Sequence, residues 1–211
     1  MLFRSNIPVG TGLNVKAGQL ISLLNYESGD GGAANSNFSQ GYQWFFTGNG
    51  PAAGVQAGYT FTDWLDAKLR VQNGMYSGPI DGNDAKTVIG SLGLKPCKAA
   101  WVNLIGFGGD ESSSLTVKGG SVLAGCDVTS KLHTGLEFDY FNFDPAAGSS
   151  ADLWSVGGWV WYDFTDKVGL AVRGEFLDDP DGGGLKGINL PGRTGSAILS
   201  PDSKGQIESV A

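Results

Sequence analysis

Ten titratable side chains sit inside otherwise apolar, alternating runs: Lys16, Asp66, Lys68, Arg70, Lys118, His133, Glu137, Asp139, Arg173 and Glu175. The clearest run is LDAKLRVQ at 65–72, where Leu65, Ala67, Leu69 and Val71 alternate with Asp66, Lys68, Arg70 and Gln72. Charges collected on one strand face, if that face lines a water-filled passage, set the field that a passing solute experiences. The plainer reading is a solvated wall whose charges pair across neighbouring strands. Lys68 and Arg70, same-sign neighbours on one face, are the first candidates for a role in selectivity. Catalysis is poorly served. His133 is the only histidine, and its neighbours Leu132 and Thr134 offer neither nucleophile nor metal-ligand spacing. Asp81-Gly-Asn83-Asp84 and Asp179-Pro-Asp181-Gly182 resemble calcium loops but lack the glutamate at the twelfth position. They read as polar turns. No cofactor or metal is called for.

The elements that must carry these residues are strands. Charged residues make up 17% of the 211 and glycines number 35, which disfavours long helices and favours turns and close-packed strands. A net charge of −7 excludes a basic nucleic-acid-binding surface. No stretch provides the 18 to 20 or so apolar residues of a membrane helix, but membrane strands hide their apolar residues at alternate positions. Alternating runs fall at 12–22, 51–61, 64–74, 86–95, 99–108, 115–126, 131–142, 152–164, 167–177 and 205–211. Most reach the length of roughly 9–11 residues that a tilted strand needs to cross a bilayer. Short turns at 62–63, 96–98, 127–130 and 165–166 alternate with Gly/Asp/Ser-rich loops at 24–50, 75–85, 109–114, 143–151 and 178–204. That sorting of loops predicts an all-β, antiparallel up-and-down transmembrane barrel, with about ten strands present and the barrel incomplete.

In such a barrel the apolar face is the outer one. Tyr59, Phe61, Phe138, Tyr140, Trp154, Tyr162, Phe164 and Phe176 then form a lipid-facing aromatic girdle at the headgroup zones. The inward face of 99–108 stays ambiguous, with Trp101, Ile105 and Phe107 set against Val102 and Leu104. Trp159 and Trp161 fall on the lumen side, where a plug or an inward-folded loop would cover them. If 99–108 and 115–126 form a hairpin centred on 109–114, Cys97 and Cys126 face one another at the short-turn rim. A disulfide is one reading, suited to an oxidising compartment. Two unrelated small residues is the other.

The segments IPVGTGLNVKAGQLISLL, AGYTFTDWLDAKLRVQNG and WVWYDFTDKVGLAVRGEFLDDPDGG resemble the β-barrel porins of the OmpL-like group in bacterial outer membranes. The resemblance runs from about Ile7 to the C-terminus, and the repeated FTD hairpins carry most of it. It implies an outer-membrane location, a porin role and a longer chain with a signal peptide. It brings no catalytic residues. Residues 1–5, with LFRS at 2–5, read as a non-native leader, and 6–211 as one barrel domain lacking the signal peptide and closing strand.

Passive diffusion of small hydrophilic solutes or ions through a polar lumen is the leading functional expectation. The expected partners are outer-membrane lipid and those solutes, with room for a homo-oligomer. A non-conducting structural or adhesive barrel working through its long loops comes second. A soluble carbohydrate-binding sandwich is third, and an enzyme last.

Overall fold

The computed structural model describes residues 2–10, 12–27, 35–48, 50–75, 83–181 and 206–211. Its strands are β1 (Leu2–Ile7), β2 (Leu13–Leu20), β3 (Ala52–Thr62), β4 (Leu65–Gln72), β5 (Thr87–Cys97), β6 (Ala100–Ser112), β7 (Leu115–Asp127), β8 (Leu132–Pro145), β9 (Ala151–Thr165), β10 (Val168–Asp178) and β11 (Gln206–Val210). A single five-residue helix, α1 (Tyr42–Phe46), interrupts the connection from β2 to β3. All eleven strands form one antiparallel sheet in chain order, and it is not closed: β1 and β11 are its two edges. Residues 2–5, set apart by the sequence as a leader, lie in β1 with Arg4 opposite Lys16.

The FTD hairpins have a local cause. In the β9–β10 turn the Thr165 hydroxyl accepts from the backbone N–H groups of Lys167 and Val168. In the β3–β4 turn the Thr62 hydroxyl accepts from Trp64 N–H. A threonine at this place therefore replaces a missing ladder bond and sets a two-residue reversal. Register then follows, because a one-residue slip would send every side chain to the opposite face.

The faces sort by that register. Leu69, Val71, Val88, Leu92, Leu104, Leu136, Val160, Leu170 and Val172 are exposed on the outer face. The aromatic residues of the expected girdle share this face. Trp154 and Tyr162 on β9 are eight residues, roughly 27 Å of strand, apart. Tyr59 packs on Phe61 and Tyr162 on Phe164 near the short-turn rim, while Trp154 packs on Phe176 toward the other.

Three expectations need correction. Lys118 was placed on the lumen wall, but it shares the outward side of β7 with Val122 and Ala124, is more than half exposed, and pairs with Asp144 at 3.7 Å. Lys118 lies four residues past the Ser113-Ser114 turn, so its charge stands toward the rim, where headgroup water is available. The loop expected at 109–114 is only Ser113-Ser114, because Asp110 and Thr116 bond across β6 and β7 and carry the ladder past the apolar band.

That shortened turn also moves the hairpin register. Cys126 lies opposite Ala100, and Ala100 on its other side opposite Cys97. The two cysteines are thus separated by a whole strand, roughly 10 Å, beyond the reach of about 7 Å for a bridge. Both thiols are free. The intact mass of the exported protein is expected to be the same with and without reductant. A gain of two hydrogens on reduction would instead restore the bridge.

Candidate functional site: an inward-folded segment and the charges around it

The connection between β2 and β3 does not extend outward. Its described residues cross the concave side of the sheet, and Leu24, Glu27, Gln43 and Thr47 are buried there. The inward face of β5–β9 receives it with an apolar cluster: Ile89, Ile105, Phe107, Val117, Leu123, Phe141, Phe143 and Leu153, joined by Leu24, Met75 and Leu177. Leu23, Tyr26, Tyr42, Phe46 and Trp101 pack against this cluster. The ambiguity in β6 is thereby resolved, with Trp101, Ile105 and Phe107 facing inward. Much of the interior is a packed core and not an aqueous surface.

Tyr26 shows how closely segment and wall fit. Its ring stacks between Trp101 (5.8 Å between centroids) and Trp159 (4.6 Å). This approach requires Gly135, since a Cβ there would strike the Tyr26 ring. Burial, with the charge of Asp127 adding, pushes the Tyr26 phenol up to about 12, so it stays a neutral hydroxyl.

Four of the charged positions found in the sequence come together under this segment. Arg173 on β10 donates to Glu27 Oε1 at 2.7 Å and to the Ser39 carbonyl at 2.6 Å. Its Nε lies 3.2 Å from Glu175 Oε2, near enough for ion pairing though not aligned as a hydrogen bond. Glu175 accepts from the backbone N–H groups of Tyr42 and Gln43, both at 3.0 Å, so it caps α1 from another element. Glu27 also accepts from Gly41 N–H and from Trp159 Nε1. On β8, Glu137 accepts from Tyr26 N–H at 2.8 Å. Asp139 accepts from Thr47 Oγ1 at 2.6 Å, Ser155 Oγ at 3.0 Å and Gln43 Nε2 at 3.2 Å. Gly157 makes space for Gln43, because a Cβ there would collide with its amide. The four wall residues Arg173, Glu175, Glu137 and Asp139 are all buried. They hold the segment in place and present little surface to a solute.

The other candidates lie apart from these. Lys16, Asp66, Lys68 and Arg70 face inward from β2 and β4. Arg70 is only 3% exposed. Its guanidinium donates to Gln56 Oε1 at 2.7 and 3.0 Å and to the Ile21 carbonyl at 2.7 Å, all neutral acceptors. Lys68 lies 3.2 Å from Asp66, and both side chains remain partly open, at 34% and 26%. His133 stands near the short-turn rim, its Nδ1 2.6 Å from Asp127 and its ring stacked on Trp161. Among the described residues no group of three or more His, Cys, Asp or Glu is arranged to hold a metal. Asp81 and Gly182 of the two calcium-like sequences lie outside the described residues.

The sequence had no direct sign for Glu27, Gln43 or Thr47, which lie in the segment between β2 and β3. The one available signal was Trp159, an aromatic residue on the face expected to be wet.

The family described as "Putative beta-barrel porin-2, OmpL-like" matches residues 3–206, and the chain belongs to it. No curated protein sequence matches. Among solved structures, the chain is similar to OmpT of Vibrio cholerae, an outer membrane protein, folded in vitro. The TM-score is 0.50 at 15% identity, covering 84% of this chain and 52% of that one. The outer-membrane-expressed form of the same protein gives 0.50 at 13%, covering 84% and 54%. The chain therefore spans about half the length of those barrels. The likeness shows the fold: an antiparallel outer-membrane barrel sheet. As a member of this porin family the chain belongs to the bacterial outer membrane, where a barrel sheet meets lipid.

Removing Arg173 would leave Glu27 and Glu175 buried without their cation. Arg173→Ala is expected to lower stability by about 3–5 kcal/mol in detergent unfolding experiments. It should also open residues 35–48 to proteolysis while β5–β9 stay protected. Uniform protection of both regions would show that the ion cluster is not what holds the segment.

Proposed function

We propose that this porin-family chain forms part of a passive channel whose bore is narrowed by the inward-folded β2–β3 segment, admitting small hydrophilic solutes or ions. The observation that carries the proposal is the unequal covering of the inward face. Along β5–β10 the wall is sealed by the segment: Phe141, Leu153 and Trp159 are buried with it, as are the charges of β8 and β10. Along β1–β4 the lower wall stays open and polar, with Asn14, Lys16, Gly58, Asp66 and Lys68 only partly covered. A solute path beside the segment would follow this second wall. Solutes there meet polar groups and water, so small size and hydrophilicity decide passage, with no chemical step and no cofactor.

A non-conducting barrel has one observation in its favour, the dense packing of the segment against β5–β9. Planar-bilayer recording of the complete protein decides between the two. Ohmic channels are expected, with a larger unit conductance for Arg173→Ala, in which the segment is released. Silent bilayers from both proteins, despite verified insertion, would reject the channel.

A further inference from the structure

We infer that the open lumen wall of β1–β4 is a binding site for small anions of the carboxylate or phosphate class; as a selectivity element it rests on the channel reading above, but as a site it stands on its own geometry. The register assembles it. Lys16 lies opposite Gln56 and Gln56 opposite Arg70, so one row across β2, β3 and β4 carries two cations. Lys68 stands one inward position further toward the short-turn rim, opposite Gly58. Strand spacing and rise put Lys16, Lys68 and Arg70 within roughly 7–12 Å of one another.

These cations are poorly compensated. Lys68 has Asp66. Arg70 is held by Gln56, Gln72 and a backbone carbonyl, none of them charged. Among the described residues neither Arg4 nor Lys16 has a carboxylate partner. Among the described residues Lys16, Lys68 and Arg70 thus share one carboxylate partner, Asp66. The carboxylates that could balance them, Glu27 on the segment and Glu137, Asp139 and Glu175 on the far strands, are buried where segment and wall meet and are occupied there.

The floor between the cations is also shaped for a ligand. Gly58 has no side chain, and its Cβ position is approached by the Lys68 stem at 3.5 Å and the Ala67 carbonyl at 3.8 Å. Lys16 and Lys68 flank Gly58 with rotatable ammonium groups, while Arg70 is buried and fixed by its neutral acceptors. An anion seated over Gly58 would accept from both lysines in charge-assisted hydrogen bonds. The spread of Lys16 and Lys68 across Gly58 suits an oxyanion with several acceptors better than a neutral sugar.

The test uses the complete protein in detergent, with inorganic phosphate as the probe at about 0.1 M ionic strength, where the screening length is about 10 Å. Saturable phosphate binding is expected. The Lys16→Gln/Lys68→Gln double variant should weaken it at least about tenfold, the loss of one charged hydrogen bond or more. Lys68→Arg should retain it, and Lys131→Gln, on the exposed turn, should leave it unchanged. In bilayers the wild-type reversal potential under a salt gradient should show anion preference, and the double variant should lose it. Phosphate binding with no conductance keeps the site and rejects the channel. Conductance with no phosphate binding and no anion preference keeps the channel and overturns the site. Equal phosphate affinity in wild type and double variant overturns it too.

Discussion

The arrangement depends on a buried exchange of charge between a loop and a wall. Arg173 and Glu175 on β10 and Glu27 on the β2–β3 segment are almost without solvent; Arg173 and Glu175 pair with each other along the strand, and Glu27 finds its partners, and Glu175 its two α1 donors, only when the segment lies inside the sheet. Taking such charges out of water costs several kcal/mol per ion, and mutual attraction alone seldom recovers it. The recovery here comes from hydrogen bonds: Glu27 takes three donors and Glu175 caps α1 with both oxygens. Such a cluster discriminates between positions more than it stabilises. A segment displaced by a few ångströms would leave Glu27 without its donors and strip Glu175 and Arg173 of theirs on the segment, so one docking is selected over many.

The apolar cluster works with this selection. The inward face of a membrane barrel is often thought of as wet, but β5–β9 present Ile105, Phe107, Phe141, Phe143 and Leu153 inward. The outer face is matched to lipid regardless of sequence detail, so it contributes nothing toward bringing the segment in. Burial of Leu24 in the cluster, with Tyr26, Tyr42 and Phe46 packed against it, supplies the non-directional attraction, and the Arg173 cluster supplies the position. Glycines at 135 and 157 permit this, because the wall must be approached at backbone distance by Tyr26 and Gln43.

The strands and their outer face were legible in the sequence for a physical reason. Lipid on one side and a different environment on the other impose period two, and period two survives any change in what fills the interior. Leu69 and Val71 could therefore be assigned outward with no knowledge of the rest of the barrel. The turn register was less legible. Ser113-Ser114 has the composition of a loop, and the Asp110–Thr116 bond that closes it into a turn depends on the pairing itself. The false opposition of Cys97 and Cys126 followed from that single error, and the inward placement of Lys118 from treating every charged residue in a run as lumenal. Least legible was the segment. Residues 21–51 have no period, so nothing local distinguishes an outward loop from an inward one. Trp159, an aromatic residue on the face expected to be wet, was the trace of it.

This partition changes how the inward charges should be ranked. By sequence all of them are equivalent, since each alternates with apolar residues on a strand. By burial they divide into two sets. The carboxylates of β8 and β10 are consumed in holding the segment, and their field is offset nearby by Arg173 and by the N–H dipoles they accept. Among the described residues the cations of β2 and β4 have one carboxylate partner, Asp66; Lys16 and Lys68 stay partly open, while Arg70 is buried among neutral acceptors. Electrostatic influence on a solute falls with distance and with water in between, so the exposed set dominates even though the chain as a whole carries −7. Net charge is thus a poor guide to the sign of the field along the path. The sign is decided by which side of the bore the inward segment leaves uncovered.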